Sequence, residues 1–192
     1  MNVLGRQTAG DCRIRPLTGA DARAVVALRR AIMASDPSTF SMSPSEEEAV
    51  GSDALTRVLD DCHQAVDREV WGAFLPPMEH GEDLVGMVGI DRFQADYLGH
   101  KARLWGLGVR RPFRRNALGR RLMETAIAFA RQLGGVEVIL LSVTSDAHAA
   151  LDLYYQLGFQ QHGHERRAIK TPTAYLDEYQ LHLDLTPSAS SR

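Results

Sequence analysis

A strand, a helix and a second strand follow each other between residues 102 and 143, and this segment constrains the fold more than any other. Ala102–Val109 and Glu137–Val143 are mainly apolar runs of strand length, and the helix between them has one apolar stripe. The stripe consists of Leu118, Leu122, Ala126, Phe129 and Leu133, and it ends at Gly134 and Gly135. This order predicts two parallel strands joined by a right-handed crossover. The continuous apolar run of the second strand predicts burial on both of its faces.

The flanking segments predict an antiparallel sheet around this pair. Strands are predicted at residues 13–17, 69–75, 84–93 and 174–185, with Pro16 favouring an edge position. Helices are predicted after a cap at Thr18 or Asp21, from Ser43 to about Cys62, and at residues 147–156. The expected fold is therefore α/β, with a mixed, mostly antiparallel twisted sheet, a central parallel strand pair and flanking helices. We expect one domain over residues 12–185 and flexible ends at 1–11 and 186–192.

Composition and charge exclude several classes of function. The 192 residues are 44% hydrophobic and 24% charged, which is typical of a globular domain. A formal net charge of −2 provides no global attraction for nucleic acid or an anionic membrane. The N-terminal residues lack a signal-peptide run, and no stretch approaches the roughly 18 apolar residues of a membrane span. We expect a cytoplasmic protein with reduced cysteines and with neither nucleic acid nor membrane as a partner.

The turn between the first strand and the helix has the features of an anion site. Backbone N–H groups at a helix start point outward, and the helix dipole favours negative charge there. Ala117 and Gly119 allow close approach to the backbone, and arginines occupy positions 110, 111, 114, 115, 120 and 121. The alternative is that these arginines are solvated on the surface of a capped helix. An RNA-binding stripe is disfavoured, because the segment lacks aromatic residues on which bases could stack. Neither a P-loop nor a G-x-G-x-x-G turn is present, which disfavours a nucleoside triphosphatase or a Rossmann dehydrogenase.

Three motifs in this order resemble the GNAT superfamily of N-acetyltransferases, over roughly residues 12–185. Arg114–Gly119 is similar to the Q/R-x-x-G-x-G/A acetyl-CoA signature of that family, and Leu104–Val109 resembles its fourth strand. Ala150, Leu153, Tyr154, Gly158 and Phe159 fit its A-x-x-L-Y-x-x-x-G-F motif. The loop at residues 36–43, with Pro37 and Phe40, resembles the acceptor-side loop of the family.

The resemblance implies a binding site for acetyl-CoA or another acyl-CoA as co-substrate. The implied contacts come from a bulged strand and the turn after it: Leu107, Gly108, Val109, Arg114, Arg115, Asn116, Ala117, Leu118, Gly119 and Arg120. The family usually has glycine at the position of Ala117 and often at that of Arg115. We expect Ala117 in a helical first turn, where alanine is not strained. The family often has asparagine at the position of Ala147, so a side-chain contact to the cofactor or the helix start is missing.

By the same resemblance, Tyr154 is the catalytic residue, a general acid for the departing thiolate. Tyr155 is expected to pack. The general base stays open between Asp91, His100, His148 and a water relay. His162 and His164 lack a third ligand at recognisable spacing, so no metal is expected. The closing hairpin resembles that of a bacterial subgroup, in which Arg166, Tyr175 and Glu178 are candidates to line the acceptor site, although a solvated hairpin fits equally.

These features predict an acetyl-CoA-dependent N-acetyltransferase that acts on a primary amine of a small molecule or a protein. The alternative is a non-catalytic acyl-CoA-binding regulatory module that keeps the phosphate-binding turn and has lost turnover. The acceptor and the oligomeric state stay open at this level, with a homodimer as the commonest form of assembly.

Overall fold

A computed structural model describes residues 11–37, 40, 42, 44–49, 51–76 and 82–185 of the chain. It contains seven strands: β1 (Arg13–Pro16), β2 (Arg68–Phe74), β3 (Leu84–Arg92), β4 (Lys101–Val109), β5 (Val138–Thr144), β6 (Gln160–Lys170) and β7 (Tyr175–Asp184). Five helices accompany them: α1 (Ala22–Ser35), α2 (Pro44–Ala49), α3 (Ser52–Gln64), α4 (Leu118–Gln132) and α5 (His148–Gln156). Asp21 ends a short 3₁₀ turn and is the N-cap residue of α1, and its carboxylate accepts a hydrogen bond from the Thr18 N–H.

The strands form one mixed sheet in the order β1-β2-β3-β4-β5-β7-β6. All neighbours are antiparallel except β4 and β5, which are the parallel pair that the strand–helix–strand segment predicts. The predicted fold class is therefore confirmed. Pro16 lies on the edge strand β1, where its missing N–H removes no hydrogen bond from the interior of the sheet.

Two hydrophobic clusters cover opposite faces of the sheet. The larger one joins α4 and α5 to the face that carries Val88, Leu104 and Ile139. The smaller one joins α1 and α3 to the other face, through residues such as Val70 and Met87. Because alternate residues of a strand point to opposite faces, the sheet separates an α4–α5 side from an α1–α3 side. The site described below lies where this separation is interrupted.

The structure corrects three of the predictions from the sequence. The helix expected from Ser43 to about Cys62 is two helices, because Gly51 adopts an extended conformation (φ −64°, ψ 152°) before α3. The closing part of the sheet has two strands, and β6 was missed by the periodicity because most of its residues are exposed and polar. Strand β5 is buried on one face only, since Leu140 is half-buried and Ser142 is exposed.

Some predicted features lie outside the described residues. These are the cap at Ser43, the tip of the β2–β3 hairpin at residues 77–81, and the chain ends at residues 1–10 and 186–192. The single domain over residues 12–185 stays a prediction. None of the helices in the described ranges is long and apolar enough to cross a membrane.

Candidate active site

Strand β4 leaves its parallel neighbour β5 halfway along its length. The two strands pair only from Lys101 to Arg103 of β4, and the remainder of β4 pairs with β3 alone. A bulge accompanies the separation: Met87 pairs with Gly108 and Gly89 with Trp105, so β4 has one residue more than β3 in this interval. Gly106 has a φ of +66°, which glycine adopts without steric cost. The predicted bulge and separation are thus present, and they open a gap through the sheet.

The turn that follows β4 presents a row of backbone donors. None of the backbone N–H groups from Arg115 to Arg120 donates a hydrogen bond to another described residue. The first helical bond of α4 runs from the Arg121 N–H to the Ala117 carbonyl at 3.0 Å. Since residues 115–117 are exposed, these donors are accessible to a ligand. A row of free N–H groups at a helix N-terminus fits the pyrophosphate of a coenzyme.

Ala117 is not in a helical first turn, so that expectation was wrong. Its φ of 58° and ψ of 3° lie in the left-handed region, and Arg115 has a φ of 61°. A left-handed residue with a side chain costs roughly 1–2 kcal/mol relative to the right-handed form. Turns that include left-handed residues gather successive N–H groups into a concave anion site. The backbone strain therefore lies within the row of free N–H groups, at Arg115 and Ala117, the two positions where the family prefers glycine.

The six arginines near the turn have different environments. Arg110 pairs with Asp83 at 2.7 Å, Arg120 donates to Gln156 at 2.7 Å, and Arg121 donates to the Cys12 carbonyl at 2.7 Å. The Arg111 carbonyl accepts from the Arg114 N–H at 3.3 Å, and neither the Arg111 nor the Arg115 guanidinium donates a hydrogen bond to a residue in the described ranges. Most of the positive charge is thus engaged in holding elements together, and the backbone supplies the more direct anion contacts.

Arg114 connects the turn to the end of α1. Its guanidinium contacts the Asp36 carboxylate at 2.6 Å and the Ser35 hydroxyl at 3.3 Å, while its Nε donates to the Val109 carbonyl at 2.7 Å. Partial burial would raise the pKa of Asp36, but hydrogen bonds from Ser35 and Arg114 lower this pKa below its usual value. The Arg114 side chain therefore positions the turn, and the Val109 carbonyl already has a partner.

Tyr154 lies on α5 within the larger hydrophobic cluster and is 6% exposed. Its ring packs against Phe159 with the ring centroids 5.9 Å apart. Burial raises the pKa of the phenol far above its ordinary value, so the hydroxyl keeps its proton at neutral pH. Gly119 lies close to both Val109 and Leu153, which places α5 directly beside the turn and the end of β4. Tyr155 is 47% exposed.

A cavity of about 540 Å³ lies on the α1–α3 side of the gap. Its walls come from α1, the loop after α1, and strands β4, β5, β6 and β7, together with Phe93 after β3. The lining residues are Arg29, Phe40, Met42, Phe93, Arg103, Leu104, Trp105, Gly106, Leu140, Leu141, Ser142, His162, Glu178 and Gln180. This cavity explains why one face of β5 is incompletely buried, because Leu140 and Ser142 on that face point towards the cavity and not towards a helix.

The cavity includes some of the predicted acceptor-side residues and omits others. Phe40 and Glu178 line it, whereas Arg166 and Tyr175 of the hairpin do not.

The candidate bases are absent from the lining of the cavity. Asp91 pairs with Arg103, and neither His100 nor His148 is among the lining residues. Of the histidine pair, His162 lines the cavity and His164 contacts Asp177 at 2.8 Å. In the described ranges, no group of three or more histidine, cysteine or acidic residues could hold a metal ion.

Several lining residues lie outside every motif recognised in the sequence. Arg29, Arg103 and Ser142 belong to separate elements and to no motif, and they meet only because three segments converge on the gap. One local signal was available for Ser142, since a polar residue interrupts the apolar run of β5. Such an interruption is typical of a position that faces a cavity or solvent.

Comparison with known proteins agrees with this geometry. The sequence model of the acetyltransferase (GNAT) family matches residues 32–159, which is more than half of the chain. The N-alpha-acetyltransferase RimI of Mycobacterium tuberculosis is 36% identical over 108 residues, which cover 54% of this chain and 61% of RimI. The matched region thus spans less than two thirds of that relative.

Solved structures share the fold at low sequence identity. An acetyltransferase of the GNAT family from Streptococcus pneumoniae has a TM-score of 0.78 and 23% identity, covering 91% of this chain and 99% of its own. YncA from Salmonella typhimurium, solved with acetyl-CoA, has a TM-score of 0.75 and 19% identity, covering 94% and 98%. The chain belongs to the acetyltransferase (GNAT) family. Its class is therefore that of enzymes that take acetyl-CoA as the donor of an acetyl group.

Proposed function

We propose that the chain transfers an acetyl group from acetyl-CoA to a primary amine of a small molecule or a protein. The observation that carries this proposal is the row of free N–H groups from Arg115 to Arg120 beside the gap between β4 and β5. A binding site for the pyrophosphate and an opening through the sheet adjoin each other there. The name of one matched protein supports an amino-group acceptor, because RimI is an N-alpha-acetyltransferase.

The backbone of β4 and the following turn would hold the donor. The N–H groups from Arg115 to Arg120 would bind its pyrophosphate, and the part of β4 from Leu107 to Val109 would pair with the pantetheine arm. The Val109 carbonyl already accepts from Arg114, so its N–H is the group left for a ligand on that side. Acetyl-CoA would supply a thioester whose C–S bond breaks as the amine nitrogen forms a bond to the carbonyl carbon.

Tyr154 would donate a proton to the sulfur as the C–S bond breaks. Its burial favours this role because the phenol stays protonated at neutral pH. Tyr154 lies on the α4–α5 side of the sheet, whereas the cavity opens on the α1–α3 side. The two substrates would thus approach from opposite faces of the sheet and meet at the gap. A cytoplasmic location and a homodimer stay predictions.

An acyl-CoA turnover assay with a broad panel of amines tests the proposal through the release of free thiol. We expect amine-dependent release, with an acetylated product of matching mass. Tight CoA binding without thiol release for any amine would contradict the proposal of an enzyme. It would favour the alternative, a non-catalytic acyl-CoA-binding module. Absence of CoA binding would contradict both interpretations.

A further inference from the structure

We infer that the acceptor is a small primary amine that also carries a carboxylate or another anionic group. In this arrangement Arg103 binds the anionic group and Glu178 faces the ammonium. The inference rests on the proposed acetyl transfer and names the substrate class of the same site. Polyamines and aminoglycosides are primary amines with several positive charges and no anionic group, so charge alone separates these compounds from the proposed acceptor.

The size and walls of the cavity suit a small molecule. A volume of about 540 Å³ lies within the roughly 300–1,000 Å³ of sites that enclose small ligands. Much of the wall is apolar, formed by Phe40, Phe93, Leu104 and Leu140 among others, while a few polar side chains fix the orientation. Such a site selects by the placement of its charged groups, since apolar contact alone discriminates weakly.

The charged groups of the lining disfavour a polycation. The charged residues among the described lining are Arg29, Arg103 and Glu178, and Arg103 also pairs with Asp91 outside the lining. The Arg29 guanidinium carbon lies 4.2 Å from the centroid of the Phe40 ring, which keeps this cation at the wall. A diamine would bring its second ammonium towards like charge, whereas an amine with an anionic group matches both signs.

The pairing of the strands separates the two poles of the cavity. Arg103 of β4 pairs with Leu140 of β5, and Glu178 of β7 pairs with Thr144 of the same β5. Leu140 and Thr144 are four residues apart, so these levels are about 13 Å apart along the strand. Paired residues share a sheet face, which places both charged residues on the face of the cavity. Their long side chains leave room for a short molecule with opposite charges at its ends.

Arg103 is held in place and keeps donors available. Its Nη2 contacts both carboxylate oxygens of Asp91 at 3.3 Å, and the side chain is 59% exposed. Its Nε and Nη1 have no partner among the residues that the structure describes. A guanidinium has five N–H donors in a fixed plane, so contact with one carboxylate leaves donors for a second anion.

Glu178 is the one carboxylate among the described residues that line the cavity. An amine acceptor enters as an ammonium at neutral pH and must lose a proton before it attacks a carbonyl. A carboxylate at the wall binds the ammonium and can accept that proton. Glu165 lies directly across from Glu178 on β6, is exposed and does not line the cavity. This neighbour therefore serves as a matched control.

The test measures kcat/KM for acceptors that differ in charge at nearly constant shape. Leucine is compared with leucinamide, glutamate with glutamine, and both pairs with 1,5-diaminopentane and with a tripeptide that begins with leucine. We expect at least one anionic amine to exceed its neutral counterpart by about ten-fold or more, since hydrogen bonds to charged groups are worth that much. A preference for the tripeptide with no charge discrimination would contradict the small anionic acceptor.

Variants then assign the preference to residues. Arg103→Gln should remove most of the discrimination between the anionic amine and its neutral counterpart, while Arg131→Gln on the exposed side of α4 should keep it. Glu178→Gln should lower kcat/KM for all amines about ten-fold or more, and Glu165→Gln should not. Preferred turnover of 1,5-diaminopentane, or unchanged discrimination in Arg103→Gln, would overturn this inference while leaving acetyl transfer intact. Absence of thiol release with every amine would instead contradict the proposed function itself.

Discussion

The two sides of the sheet present their ligand-binding groups in different ways. On the α4–α5 side, the proposed donor site consists of free backbone N–H groups from one short stretch, Arg115–Arg120. On the α1–α3 side, the cavity is lined by residues from five separate elements and from the segments after α1 and β3. A backbone site tolerates sequence change, since every residue except proline supplies an N–H. A side-chain site changes its specificity with each substitution.

We infer from this difference a division of two roles within the chain, donor binding by the backbone and acceptor selection by side chains. The proposed donor is acetyl-CoA, and the proposed site for it relies on backbone geometry that different sequences can adopt. The acceptor cavity is lined by residues that belong to no family motif, such as Arg29, Arg103 and Ser142. Arg114 joins the two regions, because it lies in the turn and pairs with Asp36 at the start of the acceptor-side loop. The following predictions test this division, beginning with the largest effect.

Substitution of Tyr154 by phenylalanine should have the largest effect on activity. The change removes the proposed proton donor and retains the ring, so we expect kcat to fall about 10²–10⁴-fold. The KM for acetyl-CoA should stay nearly constant, because the donor is bound by the backbone. Steady-state kinetics by thiol release measure both constants. Tyr155→Phe, an exposed neighbour on the same helix, should keep wild-type rates, and equal rates for both variants would remove Tyr154 from the mechanism.

Substitution of Gly108 by alanine should destabilise the packing between the two regions. A Cβ atom at Gly108 would lie 2.6 Å from the Cδ1 of Ile32 and 3.4 Å from the Phe40 ring. Overpacking of this kind costs about 1–3 kcal/mol of unfolding free energy. Urea denaturation measures the loss. Gly134→Ala is the control, since nothing lies within 4 Å of a Cβ there. Equal stability of the two variants would mean that α1 can move away from β4 without cost.

Substitution of Ala117 by glycine should have a favourable or neutral effect on stability. The left-handed conformation costs alanine roughly 1–2 kcal/mol, which exceeds the extra chain entropy of glycine, about 0.4–1 kcal/mol. We expect a gain of up to about 1 kcal/mol and an unchanged or lower KM for acetyl-CoA. Ala128→Gly, on the exposed face of α4, should instead cost about 1 kcal/mol. A similar loss at both positions would show that the turn is not left-handed at residue 117.

Substitution of Asp36 by asparagine should have the smallest effect, and the effect should depend on pH. The ion pair with Arg114 is partly exposed, with side-chain exposures of 41% and 32%, so it contributes about 1 kcal/mol or less. The folded pKa of Asp36 is lowered, so its contribution is complete above the unfolded value near 3.9 and disappears as pH falls through the folded pKa. Denaturation at pH 7 and pH 3 measures this difference.

Asp152→Asn on the exposed side of α5 is the control for the pH series, because the Asp152 carboxylate forms no ion pair with a residue that the structure describes. It should show the same small difference from the wild type at both pH values. A loss in Asp36→Asn that persists at pH 3 would mean that the carboxylate charge is not what joins the turn to α1.

Much of the fold could be predicted from the sequence alone, and so could the position of the turn for which donor binding is proposed. The parallel pair followed from the order of the 102–143 segment, since two apolar strands joined by one amphipathic helix leave few alternatives. The turn with free N–H groups was predictable because these groups are contiguous and belong to the backbone. The break at Gly51 was missed, because the apolar spacing continues across it and a single extended residue leaves little trace in the periodicity.

Other features were decided only by the tertiary structure. The left-handed conformation of Ala117 results from how the turn connects β4 to α4, which local propensity opposes. The incompletely buried face of β5 and the meeting of Arg103 with Glu178 around one cavity depend on strand pairing between distant segments. Sequence determines what is local or periodic, whereas contacts between side chains far apart in the chain require the folded sheet to bring them together.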